Sequence, residues 1–117
     1  MAYLTKAEIL AADDRKFIEV EVPEWGGKVR LASMTAAARE RHEQSYIKYR
    51  DGHLNGLCMR ASMVAACLVD DQGRQVFTAE DLVGLGEKSA KVIGRLFDLA
   101  ADLNVMTEKA AEEQAGN

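Results

Sequence analysis

The chain has 117 residues, of which 48% are hydrophobic and 29% are charged, and its formal net charge is -4 at pH 7. This length fits a single domain that buries its own core without disulfides or metals. The excess of acidic residues gives no overall positive field to attract nucleic acid or anionic lipid. No apolar run approaches the ~20 residues of a membrane span, and the N-terminal segment lacks a signal-peptide pattern. We therefore expect a cytosolic protein.

A short helix and a strand open the chain. Thr5 and Glu8 have the spacing of a capping box, so we predict a helix from about Lys6 to Ala11. From Phe17 to Val22, aliphatic residues alternate with a second set that is mostly acidic, which is the period of a half-buried strand. The residues expected to face inward are Ile18, Val20 and Val22.

A turn and a second strand follow. Pro23 to Gly27 predicts the turn, because proline removes a ladder donor and glycine tolerates positive φ. The second strand runs from Lys28 to about Leu31, so the two strands form a hairpin with facing charges. These charged residues are Glu19, Glu21, Lys28 and Arg30. A two-stranded hairpin is marginal in water, so it must pack on the helices or join the sheet of another chain.

The middle of the chain predicts two helices. Ser33 or Thr35 can cap a polar helix that ends near Arg50, where Asp51–His53 supplies a glycine. Leu54 to Val69 predicts a second helix that is apolar on nearly all sides, so its neighbours should bury it. Its predicted core positions are Leu57, Ala61, Val64 and Leu68. The acidic segment from Asp70 to Gly73 is expected to turn the chain.

The C-terminal part predicts a short and a long helix. Thr78 to Asp81 is similar to a second capping box and opens a helix that ends near Gly84 or Gly86. The helix from Glu87 to about Leu103 is apolar over about 200° of its circumference, whereas one core needs about 100°. We therefore expect this helix to contact a second partner, which lies either in this chain or on another molecule.

These elements predict one α+β domain, mostly α, over residues 1–104. An N-terminal β-hairpin packs in it with a bundle of about four to five helices. Residues 105–117 are expected to form a polar C-terminal tail that is either helical or frayed.

The sequence offers no convincing catalytic or metal site. His42 and His53 have no further histidine or cysteine at ligand spacing, and Asp70–Gly73 lacks the alternating acidic ligands of a calcium loop. Gly84–Gly86 lacks the third glycine of a dinucleotide fingerprint and the ending of a P-loop. We therefore predict a protein that is not an enzyme and that takes no metal and no cofactor.

The polar helix that ends near Arg50 supports an alternative function. Its basic residues and tyrosines could contact a nucleic-acid backbone, although Glu40 and Glu43 dilute the charge and favour a solvated face. The residues concerned are Arg39, Arg41, Tyr46, Lys48, Tyr49 and Arg50. In this interpretation the protein is a small DNA-binding regulator.

The hairpin and the last helix contain more apolar surface than one small core requires. This surplus either belongs to a single well-packed core or forms a surface for partners and for self-association. The residues predicted for such contacts are Val20, Val22, Trp25, Val29, Leu31, Val92, Ile93, Leu96, Phe97 and Leu99.

Several sequence segments occur in a distinctive order along the chain. They are Leu4–Leu10, Phe17–Gly27 with Val29–Leu31, Cys67–Gly73, Phe77–Thr78 with Glu80–Asp81, and Leu85–Ser89. In this order the chain resembles the tail assembly chaperones of long-tailed bacteriophages and prophages, from roughly Leu4 to Leu103.

The resemblance implies a non-enzymatic chaperone. It would bind and solubilise the long, apolar, helical tape-measure protein and be displaced as the tail tube assembles around that protein. The implied partners are the tape-measure protein, the tail tube protein as a second candidate, and further copies of the same chain, with no nucleic acid and no membrane. The protein would act in the host cytoplasm and be absent from the mature virion. A minor structural tail component, such as a completion or connector protein, is an alternative.

Overall fold

The computed structural model describes residues 2–50 and 58–115. Within these ranges the chain forms five α-helices and one three-stranded antiparallel sheet. The bounds are α1 Lys6–Ala11, β1 Phe17–Val22, β2 Gly27–Ala32, α2 Ala36–Arg50, α3 Met59–Cys67, β3 Leu68–Val69, α4 Leu82–Gly86 and α5 Ala90–Ala115. The prediction of a mostly helical α+β fold is confirmed.

The capping box at the start of α1 is present. Thr5 Oγ1 accepts a hydrogen bond from the backbone N–H of Glu8 at 3.2 Å, and Glu8 Oε1 accepts one from the backbone N–H of Thr5 at 3.0 Å. Two amides that a helix start leaves unpaired are thereby satisfied, and α1 has the predicted bounds. None of its residues is buried, so α1 lies outside the core.

The first two strands form the predicted hairpin. Glu19 lies opposite Arg30 and accepts hydrogen bonds from Lys28 Nζ at 2.9 Å and from Arg30 Nη2 at 3.3 Å. The acidic and basic residues therefore face each other as expected, with both basic side chains bonded to Glu19 and with Glu21 opposite Lys28 in the register. Between the strands, a 3-10 turn over Pro23–Trp25 ends at Gly26, whose φ of 78° is a conformation that glycine adopts without steric cost.

A third strand corrects the sequence prediction for the central helix. That helix was expected to continue to Val69, but α3 ends at Cys67, and Leu68 and Val69 form β3. Leu68 pairs with Leu31 of β2, and both residues of β3 are buried. Pairing with β2 satisfies backbone groups that would otherwise need helical partners. The hairpin therefore obtains a third strand from its own chain.

The central helix also begins later than predicted. Cys58 has an extended backbone and caps α3, with its Sγ atom 3.5 Å from the backbone N of Ala61. The predicted core residue Leu57 and the predicted helix end at Asp51–His53 lie outside the described residues.

The core is centred on α3, which contacts α2, α4, α5 and β2. Ala61 and Val64 are completely buried, and Leu68 is nearly so. The residues of α5 that are buried in the same core are Val92, Ile93, Leu96, Ala100 and Leu103. Because α3 presents small side chains, α5 can pack closely against it.

The predicted turn at Asp70 and the predicted capping box at Thr78 are both present in the second half of the chain. Asp70 Oδ1 accepts hydrogen bonds from the backbone N–H groups of Gln72 at 2.8 Å and Arg74 at 2.9 Å. Further on, the backbone N–H of Thr78 donates to Asp81 Oδ2 at 2.9 Å, as a capping box requires. A 3-10 segment, Ala79–Asp81, then leads into α4.

The last helix differs from its prediction at both ends. It begins at Ala90, rather than at Glu87, because Glu87 and Lys88 close the end of α4 through backbone hydrogen bonds to Gly84 and Leu85. It continues to Ala115, beyond the predicted end at Leu103. The backbone is therefore helical through most of the predicted C-terminal tail, which is one of the two forms expected for that segment.

Asn104 joins α5 to the segment between β2 and α2. Its Oδ1 accepts a hydrogen bond from the backbone N–H of Met34 at 2.9 Å, and its Nδ2 donates to the carbonyl of Ala100 at 2.8 Å. The same Nδ2 lies 3.5 Å from Cys67 Sγ at the end of α3. One amide side chain thus fixes the position of α5 relative to two other elements.

Candidate interaction surfaces

Half of the residues predicted for partner contacts lie inside the core. They are Val22, Leu31, Val92, Ile93 and Leu96, each less than 5% exposed. The wide apolar arc of α5 accounts for three of them, because α3 and β2 of the same chain cover that part of the helix. A second molecule is therefore not needed to bury these five side chains.

The other predicted residues pack against the core but remain partly exposed. They are Val20, Trp25, Val29, Phe97 and Leu99. Val20 and Val29 pair across the hairpin, Trp25 lies in its turn, and Phe97 and Leu99 belong to α5.

An apolar stripe follows one side of α5. Phe97, Ala101 and Val105 recur at intervals of four residues, which places them on one face of a helix. Phe97 and Ala101 are half-buried against the core, whereas Val105 is 49% exposed. The guanidinium carbon of Arg60 lies 5.1 Å from the centre of the Phe97 ring, a cation–π contact. We call Phe97, Ala101 and Val105 the α5 stripe.

A groove lies between the hairpin turn and α4, with a volume of about 710 Å³. Its walls include the aromatic rings of Trp25 and Phe77 and the buried side chain of Leu85. The lining residues are Trp25, Phe77, Glu80, Asp81, Gly84, Leu85 and Lys88. We call this the Trp25 groove.

An ion pair positions the Trp25 side of this groove. Arg95 of α5 donates from Nη1 to Glu24 Oε2 at 3.0 Å and from Nη2 to Glu24 Oε1 at 3.1 Å. These hydrogen bonds from Arg95 lower the pKa of Glu24 from its ordinary value of 4.5 to about 2. The turn that carries Trp25 is therefore attached to α5 by two charge-assisted hydrogen bonds.

The opposite side of the groove carries unbalanced charges. Asp81 accepts hydrogen bonds from Thr78, but Glu80 and Lys88 have no ion-pair partner within residues 2–50 and 58–115. Two negative side chains, Glu80 and Asp81, and one positive side chain, Lys88, therefore accompany the aromatic walls. The composition of the groove suits an apolar group that has charged groups beside it.

The exposed apolar residues around α1 were not predicted from the sequence as a surface. Leu4 is 68% exposed, Ile9 is 57% and Leu10 is 75%. The capping box identified the helix, but six residues are too few for a clear apolar periodicity. One feature of the sequence could have indicated this exposed surface. The segment contains three large aliphatic residues, yet it is too short to form one of the helices of a bundle.

His42 occupies a small polar cavity between α2 and α3. Its Nδ1 lies 3.4 Å from Oγ of the buried Ser62, and burial lowers the pKa of the imidazole. The cavity has a volume of about 220 Å³. Among the described residues, no group of three or more histidine, cysteine, aspartate or glutamate side chains converges on a possible metal position.

The basic face proposed for nucleic acid is only partly described. Arg39 Nε donates to Glu43 Oε1 at 3.2 Å. The positive charge of Arg39 is therefore compensated by an acidic residue of the same helix. Arg41 lies beside the His42 cavity. Tyr46, Lys48, Tyr49 and Arg50 belong to α2, but their side chains are not among those that the structure describes.

Searches for similarity to known proteins converge on one family. A family model described as phage tail assembly chaperone matches residues 5–116. The solved structure of the bacteriophage HK97 tail assembly chaperone is 27% identical, and the similarity covers 83% of this chain and 90% of that chain with a TM-score of 0.58. No curated protein sequence matches significantly. None of the described helices is long and apolar enough to span a membrane.

Proposed function

The chain belongs to the phage tail assembly chaperone family, and from this premise we propose that it binds and solubilises a tape-measure protein during tail morphogenesis. A tape-measure protein is a long apolar helical chain, so its chaperone needs accessible apolar surface on an otherwise charged molecule. The exposed aliphatic side chains and net charge of -4 meet this requirement.

The α5 stripe is the surface that best supports this proposal. Two helices pack through residues spaced three or four positions apart, and Phe97, Ala101 and Val105 have this spacing. The stripe borders the core, so its position is fixed by packing, while Val105 remains accessible. A helix of the tape-measure protein can therefore pack alongside α5 without any change in the fold.

Co-expression with the tape-measure protein tests this function. The wild-type chain should keep the tape-measure protein in the soluble fraction and co-purify with it. Val105→Asp should reduce co-purification, because it places a charge in the apolar contact, whereas Asp102→Asn on the exposed side of α5 should not. Equal recovery with Val105→Asp would reject the stripe, and an insoluble tape-measure protein with the wild-type chain would reject the function.

We further propose that copies of the chain associate with one another. β1 has a single neighbour in the described sheet, so its outer edge can accept a strand. The partly exposed Leu99 of α5 offers a second contact. Light scattering across a range of concentrations measures the mass directly, and a strict monomer at the highest concentration would contradict self-association.

The proposed place of action is the host cytoplasm during assembly. Because growing tail tube subunits displace the chaperone from the tape-measure protein in this proposal, the tail tube protein is the second candidate partner. Mass spectrometry of purified particles should detect the tape-measure and tube proteins but not this chain. Its presence at a fixed ratio would instead indicate a minor structural tail component.

A further inference from the structure

The segment that contains α1 needs a surface that its own fold does not supply. Every residue from Ala2 to Asp14 is exposed, including the aliphatic side chains of Leu4, Ile9 and Leu10. A six-residue helix is well below the ~12 residues at which isolated helices become stable in water, even with a capping box. Contact with another surface would compensate for the cost of ordering it.

The two faces of α1 differ in a way that defines such a surface. By the helical repeat, Ala7, Leu10 and Ala11 lie within about 100° of one another. Lys6 borders this apolar face on one side, with Ile9 beyond it, and Glu8 borders the face on the other. A matching site must therefore be apolar at its centre and carry a negative and a positive side chain at its borders.

The Trp25 groove has this composition. Trp25, Phe77 and Leu85 provide an apolar surface, and charges of both signs border it. The negative ones are Glu80 and Asp81, of which Asp81 is already hydrogen-bonded to Thr78, and the positive one is Lys88. Its volume of about 710 Å³ exceeds the volume of one leucine side chain several-fold, so a helix face with neighbouring side chains can enter.

In the structure α1 does not occupy the groove of its own chain, since no residue of α1 is among those that line it. Lys16 is fixed to the sheet, because its backbone N–H donates to Ser33 Oγ at 3.0 Å and its carbonyl accepts from the Ser33 N–H at 2.8 Å. From Lys16 back to Ala11 the chain spans at most about 17 Å. The six residues of β1 extend about 20 Å from Lys16 toward the turn that carries Trp25. The groove of a second copy is open to α1 without this restraint.

We propose that α1 of one copy docks in the Trp25 groove of a second copy. Leu10 packs against Trp25 and Phe77, while Lys6 lies beside Glu80 and Glu8 beside Lys88. This assignment rests on the proposed self-association and adds to it a contact that is separate from the β1 edge and Leu99. The two contact surfaces are different parts of the molecule, so the contact is heterologous, and each added copy presents a further free helix or groove.

Two complementary variants of the full chain test the contact. Leu10→Asp should prevent α1 from docking and leave the Trp25 groove intact. Gly84→Arg should fill the groove and leave the helix intact, since a Cβ at Gly84 meets no atom within 4 Å. In analytical ultracentrifugation each variant should associate at least about tenfold more weakly than wild type, and an equimolar mixture should form a dimer.

Matched controls separate this contact from other forms of self-association. Gly84→Ala should behave as wild type, because a methyl group leaves the groove open. Lys6→Glu should raise the Kd about three- to fivefold, and Glu80→Lys in the same chain should restore it. Circular dichroism verifies that each variant folds, with Leu10→Ser as the alternative helix variant if Leu10→Asp does not.

The outcomes are distinct. Wild-type association that neither Leu10→Asp nor Gly84→Arg weakens would overturn the α1 contact while leaving self-association and tape-measure binding in place. A monomeric wild-type chain would overturn self-association itself. Weakened single variants whose mixture remains monomeric would also overturn the proposed pairing of helix and groove.

Discussion

Glu24 and Arg95 form a two-bond ion pair that connects the hairpin turn to the last helix. The guanidinium nitrogens of Arg95 lie 3.0 and 3.1 Å from the two carboxylate oxygens of Glu24. Each partner extends from an element fixed by the core, because Val22 precedes Glu24 and Leu96 follows Arg95, and both are completely buried. The pair therefore holds together two segments that are distant in the sequence.

This ion pair should make the stability of the fold sensitive to acid. The pKa of Glu24 is lowered to about 2 by the hydrogen bonds from Arg95, whereas the unfolded chain retains a value near 4.5. A lowered carboxylate pKa stabilises the folded state above the unfolded pKa, and this stabilisation is lost as the pH falls from about 4.5 to 2. Arg95→Gln should therefore lower the free energy of unfolding near pH 6 and have little effect near pH 2.

Urea denaturation of both chains at the two pH values measures this difference. Lys91→Gln is a suitable control, because Lys91 lies one helical turn earlier and makes no hydrogen bond to Glu24. Lys91 favours ionised Glu24 only through a weak coulombic interaction, so the loss of stability near pH 6 should be much smaller for Lys91→Gln than for Arg95→Gln. A constant deficit of Arg95→Gln between pH 6 and pH 2 would show that the loss does not depend on ionised Glu24.

Leu96 should contribute more to stability than any partly exposed residue of α5. It is completely buried between α3 and the sheet, so truncation leaves a cavity as well as losing buried apolar area. We expect Leu96→Ala to lower the free energy of unfolding by about 2–5 kcal/mol. Val83→Ala, at a position 60% exposed on α4, should change it by less than about 0.5 kcal/mol. Thermal and chemical denaturation measure both values.

The hairpin could be predicted from sequence because its signals are local. Alternation from Phe17 to Val22 and the glycines of the turn specify β1, and Glu19 and Arg30 then face each other by register. The third strand has no such signal. Leu68 and Val69 continue the apolar run of α3 and are assigned to a strand only by pairing with β2, a contact between segments far apart in the chain.

The same limitation applies to the candidate surfaces. The sequence shows that α5 is apolar over a wide arc of its circumference. It does not indicate that α3 and β2 bury the part of this arc that contains Val92, Ile93 and Leu96. The Trp25 groove also depends on a long-range contact, the pair of Glu24 with Arg95. Helical periodicity describes one element at a time, whereas exposure depends on how several elements meet.

Asn104 should be required for the stable placement of α5. Its Oδ1 is the acceptor for the backbone N–H of Met34, and Asn104→Leu removes that acceptor from a partly buried position. An unsatisfied amide of this kind costs about 1–3 kcal/mol, so the free energy of unfolding should fall by a comparable amount. Asp102→Asn, two residues earlier on the exposed side of α5, is the control. A chain that tolerates Asn104→Leu without loss would show that water replaces this contact.

Gly73 and Gly26 allow the cost of a backbone conformation to be separated from the cost of a steric contact. Both have positive φ, 79° and 78°, so alanine at either position should lose about 1 kcal/mol of stability. A Cβ at Gly26 meets no atom within 4 Å, whereas one at Gly73 lies 3.1 Å from Nη2 of Arg15.

The same Nη2 donates to the carbonyl of Gly73 at 3.2 Å, so the added methyl should also disturb a hydrogen bond between the start of the sheet and the Asp70 turn. Gly73→Ala should therefore be more destabilising than Gly26→Ala in urea denaturation. In an Arg15→Ala background the two substitutions should have equal effects, because the crowding and the hydrogen bond are then both absent. A difference that persists in this background would place its cause in the turn itself.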